Sequence, residues 1–341
     1  MKEFDFTLLR EVSRSFYLTM RALPAAVRPQ IGLAYLLART TDTIADTGLV
    51  STGSRLDALQ RLRERILGKS TAPLNFGSLA QNQSLPAERI LLERCEETLG
   101  LLGRAGADDV QRIRSVLDVI ISGQELDLRR FGQATVNQIT ALADDAGLDD
   151  YTFRVAGCVG RFWTDMCLAH LFDAGAEEAA FLREAGVRFG KGLQLVNILR
   201  DLPSDLRKGR CYIPAGRLNE SGLTPGDLLS PERMPAFRPL YAGYLDLADS
   251  HLTAGWEYTN ALPRRQWRLR LACAWPILIG AATLRLLRVE NVLDGSRRVK
   301  ISRAESRRWI VRSIAFYPWP GRWRRLYGAS ANAVASQAAW R

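Results

Sequence analysis

Ile31-Gly-Leu-Ala-Tyr35-Leu-Leu-Ala-Arg39-Thr-Thr-Asp42-Thr-Ile-Ala-Asp46 is apolar nearly all round before it closes on two acids four residues apart. Ile31, Leu33, Ala34, Leu36, Leu37 and Ala38 leave little polar face, the mark of a helix buried among other helices. On such a helix the carboxylates of Asp42 and Asp46 emerge from one face, one turn apart. Carboxylates at the end of a buried helix are costly unless they are paired or bind a metal. The wider chain is helical in pattern too. Proline is absent from Ala87 to Leu202, a longer interval than most loop-rich or β folds allow. Ile113, Val116, Leu117, Ile120 and Gln124 recur at three and four, Val187, Leu193 and Val196 continue the pattern, and strict alternation is hard to find. The expected fold class is all-α.

The acidic spacing returns in Gly190-Lys-Gly-Leu-Gln194-Leu-Val-Asn197-Ile-Leu-Arg200-Asp201-Leu-Pro-Ser-Asp205. Gln194, Asn197, Asp201 and Asp205 follow at three, four and four, which makes one polar stripe on an otherwise apolar helix. A lone Asp-x-x-x-Asp is most often a solvated helix face. Two copies, each in an apolar or basic context, point instead to a shared anionic cavity with no cation of its own. Mg²⁺ suits that arrangement, because it takes hard oxygen ligands, keeps several waters and is held by one or two carboxylates plus substrate phosphates; Mn²⁺ is the alternative. Pro203 stands between Asp201 and Asp205 and opposes the Leu199 carbonyl of a regular helix, which implies a kink or a last turn there.

A length of 341 residues allows one large domain or two small ones. Gly68–Pro86 and the proline-rich Pro214–Pro239 read as loops between helices. The five cysteines show no CxxC and no zinc-type spacing, and Met1–Arg10 alternates charged and apolar residues unlike a secretory leader. Reduced thiols and a cytoplasmic location are therefore expected. His170 and His251, the two histidines, sit among ordinary helix residues, which sets aside His-based triads and His metal sites. The apolar run Leu271–Leu284 contains Pro276 and falls short of the roughly 20 residues that span a bilayer; it reads as a wall of the core or of a lipid-chain tunnel. Charge is unevenly placed: the chain carries +11, while Arg264–Arg341 holds seventeen Lys plus Arg against Glu290, Asp294 and Glu305. No recognised nucleic-acid module accompanies that charge. Phe316-Tyr-Pro-Trp319-Pro-Gly-Arg-Trp323-Arg-Arg-Leu-Tyr327 mixes aromatics with Arg as interfacial anchors do, so peripheral contact with the inner face of an anionic membrane is expected. No protein partner is inferable.

Several blocks together resemble the squalene and phytoene synthases, which join two prenyl diphosphates head to head. They are Ser13-Arg14-Ser15-Phe16, then Tyr35, Arg39 and the Asp42/Asp46 pair, then Tyr151-Thr-Phe-Arg-Val-Ala-Gly157-Cys-Val-Gly160, Gln194–Pro214, Cys273-Ala-Trp-Pro276 and Val299-Lys300-Ile301. Ala272–Leu284 followed by the basic Val-Lys-Ile segment is more similar to squalene than to phytoene synthases. Squalene synthases often place a third acid just before the last Asp of each motif; Ala45 and Ser204 stand there, so each pair is a minimal two-carboxylate version.

The resemblance implies a single-domain isoprenoid-synthase helical bundle around a central cavity, over residues 1–315, followed by a basic aromatic tail, 316–341. It implies a prenyl diphosphate substrate. Asp42, Asp46, Asp201 and Asp205, with Asn197, would hold the metal. Arg14, Arg39, Arg200 and Arg210 would clamp the diphosphate, since a guanidinium fork matches phosphate oxygens. Phe16, Tyr35, Gln194 and Asn197 join the substrate set, and Phe16, Tyr35, Tyr151, Phe153 and the Leu271–Leu284 wall would shield a carbocation from water. Tyr151 matches the family's catalytic tyrosine. The implied reaction joins two farnesyl diphosphates through presqualene diphosphate and reduces the product with NADPH to squalene. NADPH rests on the resemblance alone, as the chain has no G-x-G-x-x-G fingerprint. Lys300 matches a cofactor-phosphate position, while Ser302 stands where Arg is usual, with Arg303 beside it and Arg297 and Arg298 near. Early-stopping or non-reducing relatives (presqualene diphosphate, hydroxysqualene, dehydrosqualene or phytoene synthases) are the alternatives. A non-catalytic helical assembly factor is a further one, disfavoured because both Asp pairs and all four Arg are kept.

Overall fold

The computed structural model describes residues 6–13 and 16–332. Arg14 lies outside the described residues, and so does the side chain of Phe16. The described residues are helical almost throughout, with one pair of two-residue strands, as the all-α expectation requires. They gather into two compact units, Met1–Gly132 with Arg161–Ala176, and Gln133–Gly160 with Glu177–Arg341.

In the first unit, α1 (Phe6–Ser13) and α2 (Phe16–Ala22) lead into α3 (Arg28–Asp46). There follow α4 (Thr52–Leu67), α5 (Gly77–Gln81), α6 (Pro86–Glu93), α7 (Cys95–Leu102) and α8 (Ala107–Phe131). α3 opens on Pro29, whose fixed φ suits a first turn, and packs against α8, α4, α7 and α6. Ile31, Leu33, Leu36, Leu37 and Ile44 are buried, as the all-round apolar pattern demands. Thr40, Thr41, Thr43 and Thr47 bring hydroxyls into this core and donate them back to the carbonyls of Leu36, Ala38, Arg39 and Thr43, so none is buried unsatisfied. The expected loop Gly68–Pro86 holds a short helix, α5, because burying Leu79 and Ala80 outweighs the weak helix propensity of its Gly, Ser and Asn residues.

The second unit contains β1 (Thr140–Ala141), α9 (Asp145–Thr152), the start of α10 (Cys158–His170) and α11 (Ala176–Arg207). Then come β2 (Arg210–Cys211), α12 (Ala215–Glu220), α13 (Met234–Ala261), α14 (Trp267–Val289), α15 (Arg303–Phe316), α16 (Pro320–Arg324) and α17 (Leu326–Asn332). The strands pair in parallel, Thr140 with Arg210 and Ala141 with Cys211. Pro214–Pro239, expected as a loop, carries α12, two 3₁₀ turns and the first turn of α13. Pro235 falls at the start of α13, where its missing N–H has no helical partner to lose.

α14 is long and apolar enough to cross a bilayer by length and composition, yet Leu271, Ala272, Cys273, Ala274, Ile277, Leu278, Ala281, Ala282 and Leu284 are each at most 3% exposed. Of the two readings for Leu271–Leu284, the structure supports the core wall, with α13, α15 and α17 packed against this helix. The segment set apart as a tail from residue 316 is, as far as residue 332, part of the same packing. Trp323 is buried and stacks on Trp256 at 5.3 Å, Tyr327 stacks on Trp256 at 6.1 Å, and the Arg270 guanidinium lies over both Tyr317 and Trp323. Aromatic rings with a polar edge serve a core as well as a membrane interface, which is why composition did not separate the two.

Two local devices shape α11. At its N-terminal half the helix crosses the start of α10 backbone to backbone: a Cβ on Gly160 would stand 1.8 Å from the Gly186 carbonyl oxygen, and one on Gly190 2.2 Å from that of Ala156. At its C-terminal half the helix continues through Pro203. Proline has no N–H for the Leu199 carbonyl, and the buried Tyr241 hydroxyl of α13 donates to that oxygen instead, at 3.1 Å. α11 thus passes Pro203 in its last turns and runs on to Arg207, and the bond the proline cannot make is supplied from outside.

Candidate active site

Each acidic pair sits on the accessible stripe of a mostly buried helix. On α3, Tyr35, Ala38, Arg39, Asp42 and Asp46 keep solvent access while Leu36, Leu37, Thr40, Thr41, Thr43 and Ile44 are buried. On α11, Gln194, Asn197, Asp201 and Asp205 stay accessible while Leu195, Val196, Ile198, Leu199, Leu202 and Leu206 are buried. The spacing read from the sequence therefore places all the predicted residues of each helix on one face. Both pairs also lie in the last turns of their helices, where the macrodipole is negative and further anions are disfavoured. α3 has no basic residue in its last turn to offset this. The helix dipole alone therefore does not favour acids at the end of α3, whereas α11 carries Arg207 in its last turn.

The pairs differ electrostatically. The Asp42 side chain keeps 48% of its surface accessible, yet it is crowded by protein. Desolvation, reinforced by the neighbouring Asp46 carboxylate, pushes its pKa up to about 7, against the opposing pull of Arg39 and Gln124. Gln124 of α8 donates its amide N–H to Asp42, while its own Oε1 is buried without a partner. Arg39 stands 3.9 Å from Asp42 and pairs closely with Glu88 of α6, so one of the expected diphosphate clamps is anchored on an acid of its own unit.

In the second unit, burial also works to raise the pKa of Asp201. The hydrogen bonds and charges of Arg200 and Arg298 outweigh it and hold the carboxyl below the usual range. Arg200 Nη2 lies 2.7 Å from Asp201 Oδ2 and Arg298 Nη2 2.8 Å from the same oxygen. Arg210 is placed in β2 by the turn at Gly209, whose φ of +78° only glycine adopts at little cost.

Tyr151 ends α9 just before a π-helical turn over Phe153–Gly157, a distortion that recurs at functional sites. It is buried and stacks on Tyr212 at 4.7 Å, and its hydroxyl donates to the Tyr212 hydroxyl at 3.3 Å. In the condensation that the resemblance implies, Tyr151→Phe is expected to keep the stacking and the fold but cut the first step by about 10²-fold, the scale of a lost acid–base group. Formation of the cyclopropyl intermediate at the wild-type rate, followed by rapid quench, would reduce Tyr151 to a packing residue.

Lys300 and Arg303 are exposed. Lys300 lines a cavity of about 150 Å³ with Leu286, Glu290, Asp294, Arg297 and Arg298. Ser302 caps α15, its hydroxyl accepting from the Glu305 N–H at 3.0 Å. The Ser-x-x-Glu pattern of a helix start was there to be read and accounts for the serine where Arg is usual. Sequence reasoning also passed over Gln124, Glu88 and Tyr212. Gln124 is a polar residue within an apolar repeat, which is the available signal; nothing local marks the other two.

Among the described residues, no three or more His, Cys, Asp or Glu side chains converge closely enough to hold a metal ion alone. Each carboxylate pair still fits Mg²⁺, because that ion takes one or two carboxylates and completes its shell with water and substrate phosphates.

The family model described as squalene/phytoene synthase matches residues 9–305. The chain is 31% identical over 254 residues to the presqualene diphosphate synthase of Sinorhizobium fredii, covering 74% of this chain and 76% of that protein. It is 31% identical over 221 residues to the bifunctional lycopene cyclase/phytoene synthase of Blakeslea trispora, 62% of this chain. The match spans only about a third, 32%, of that relative. The solved complex of TcSQS with the ligand E5700 superposes with a TM-score of 0.73 at 20% identity over 96% of both chains, a likeness of fold.

Proposed function

Because the chain belongs to the squalene/phytoene synthase family, whose members join prenyl diphosphates head to head, we propose that it condenses two farnesyl diphosphates to presqualene diphosphate and reduces this to squalene with NADPH. The observation that carries the reading is the pair of two-carboxylate stripes at helix ends, each with a guanidinium on an acid. Mg²⁺, which this family uses with diphosphate substrates, would neutralise the leaving diphosphate when held at Asp42 and Asp46 in one unit and at Asp201 and Asp205 with Asn197 in the other. Arg39, Arg200 and Arg210 orient the diphosphate, Tyr35 and Gln194 line the prenyl side, and the Tyr151–Tyr212 hydroxyl pair holds the proton lost in the first condensation. Lys300 and Arg303, exposed and three residues apart, would meet the NADPH phosphate.

The squalene product is supported by the Ala272–Leu284 wall followed by Val299-Lys300-Ile301. The early-stopping reading is favoured by one observation, that Arg298 is already engaged with Asp201 and Ser302 with its helix cap, which leaves fewer cations for a cofactor. Mass spectrometry of products from farnesyl diphosphate and Mg²⁺, with and without NADPH, decides between them. Squalene is expected with NADPH, and Lys300→Ala should spare diphosphate release while diverting product to presqualene diphosphate or alcohols. Consumption of farnesyl diphosphate without squalene at saturating NADPH would select the early-stopping reaction.

The proposal extends to peripheral membrane contact at the inner face of a cytoplasmic membrane. Arg307, Val311 and Ile314 form one exposed face of α15, with Val311 63% and Ile314 50% exposed. Trp319 and Trp267 are exposed as well, and the Tyr317 hydroxyl donates to the Arg264 carbonyl at 2.6 Å, tying together the turns that precede them. Apolar side chains among arginines suit an anionic interface. Val311→Asp with Trp319→Asp is expected to abolish co-sedimentation with vesicles rich in anionic lipid; unchanged sedimentation would remove this part of the proposal.

A further inference from the structure

Asp201 is held by two guanidiniums that differ in how readily they let go. Arg200 precedes it on α11, is 23% exposed, and donates from Nε to Oδ1 at 3.0 Å and from Nη2 to Oδ2 at 2.7 Å. Arg298 comes from the non-helical stretch between α14 and α15, is 58% exposed, and donates from Nε to Oδ1 at 2.9 Å and from Nη2 to Oδ2 at 2.8 Å. A carboxylate offers about four lone-pair sites, and these four bonds use them. A cation can therefore reach Asp201 only when one fork withdraws. Arg200 is fixed by the helix that carries Asp201 itself. Arg298 is mostly solvated and stands on a loop, so its withdrawal breaks only a half-exposed pair of the kind that contributes little net stability.

A guanidinium released at that point lies beside the acid that has just taken the metal, and its planar fork matches two phosphate oxygens. We propose that Arg298 is a diphosphate-positioning residue that works by partner exchange: it closes Asp201 in the cation-free protein and moves to the substrate diphosphate when Mg²⁺ takes Asp201. This rests on the head-to-head prenyl transfer proposed above and adds to it a residue and an order of events. Arg297, one residue away and 77% exposed, pairs instead with Glu290 at 3.7 Å, and so provides a control of equal charge.

The test uses the full chain, with Mn²⁺ read by its free-ion paramagnetic resonance signal as the metal alone, and Mg²⁺ with inorganic pyrophosphate read by calorimetry. Each variant is also made with Asp42→Asn, which silences the first acidic pair. Arg298→Ala is expected to tighten binding of the metal alone by about three- to fivefold, the scale of a solvated ion pair. The same variant should weaken binding of Mg²⁺-pyrophosphate by about tenfold, the loss of one charge-assisted fork. Arg297→Ala should move both by less than twofold. Unchanged affinities, a parallel change of both, or equal shifts in Arg297→Ala would overturn the exchange. Prenyl diphosphate turnover by the unaltered chain keeps the two readings apart: turnover with unshifted affinities sinks the exchange alone, and opposite shifts without turnover sink the reaction alone.

Discussion

Asp42→Asn and Asp201→Asn should each abolish turnover of prenyl diphosphate, by about 10³-fold or more, because removing one carboxylate removes metal-borne stabilisation of the departing diphosphate worth several kcal/mol. Asn keeps the volume, so the helical circular dichroism should be unchanged. The two variants should differ in their relation to pH. With its pKa raised to about 7, Asp42 is increasingly protonated as pH falls below 7, and a cation must displace that proton. Metal affinity of the first pair should therefore fall toward about tenfold per pH unit below 7 and level off above it. Asp201, held below the usual carboxylate range by Arg200 and Arg298, stays ionised across the same interval. The acid-side loss of metal binding should thus vanish in Asp42→Asn and persist in Asp201→Asn. Wild-type turnover in either variant, or full activity in excess chelator, would contradict the assignment.

Gly160→Ala should fail to give the native fold. A Cβ there would stand 1.8 Å from the Gly186 carbonyl oxygen, and a backbone atom cannot rotate away as a side chain does. Separating α10 from α11 enough to admit a methyl group opens a close-packed crossing, at a cost in the upper range for overpacking, about 3 kcal/mol or more. Gly190→Ala meets the Ala156 carbonyl oxygen in the same way, at 2.2 Å. The measurement is soluble yield and thermal melting; melting within a few degrees of wild type would show that the crossing yields easily. Gly100→Ala, with nothing within 4 Å of the added carbon, serves as the control.

The helical class and the two acidic stripes were legible because both depend on local periodicity: an all-round apolar run for α3, a three-four-four polar spacing for α11. The partners were not, since Gln124 and Arg298 are distant in sequence from the carboxylates they reach, as Glu88 is from Arg39, and no spacing rule joins them. Tyr212 lay inside a recognised block yet gave no sign of stacking on Tyr151, 61 residues earlier. The aromatic Phe316–Tyr327 stretch left two placements open for the opposite reason. Its composition was read correctly as amphipathic, but the same rings that suit an interface also close a core, and Trp323 went inward while Trp319 stayed out.

Pro203 makes the second acidic stripe a borrower. The Leu199 carbonyl one turn before it, which a proline cannot answer, accepts from Tyr241, 42 residues further on. In a chain that ends before Tyr241 the Leu199 carbonyl has no α13 hydroxyl to accept from, and water must serve it instead. The helix end that carries Asp201 and Asp205 is therefore completed by a later part of the chain, and a fragment that stops short of α13 should keep that end solvated and frayed.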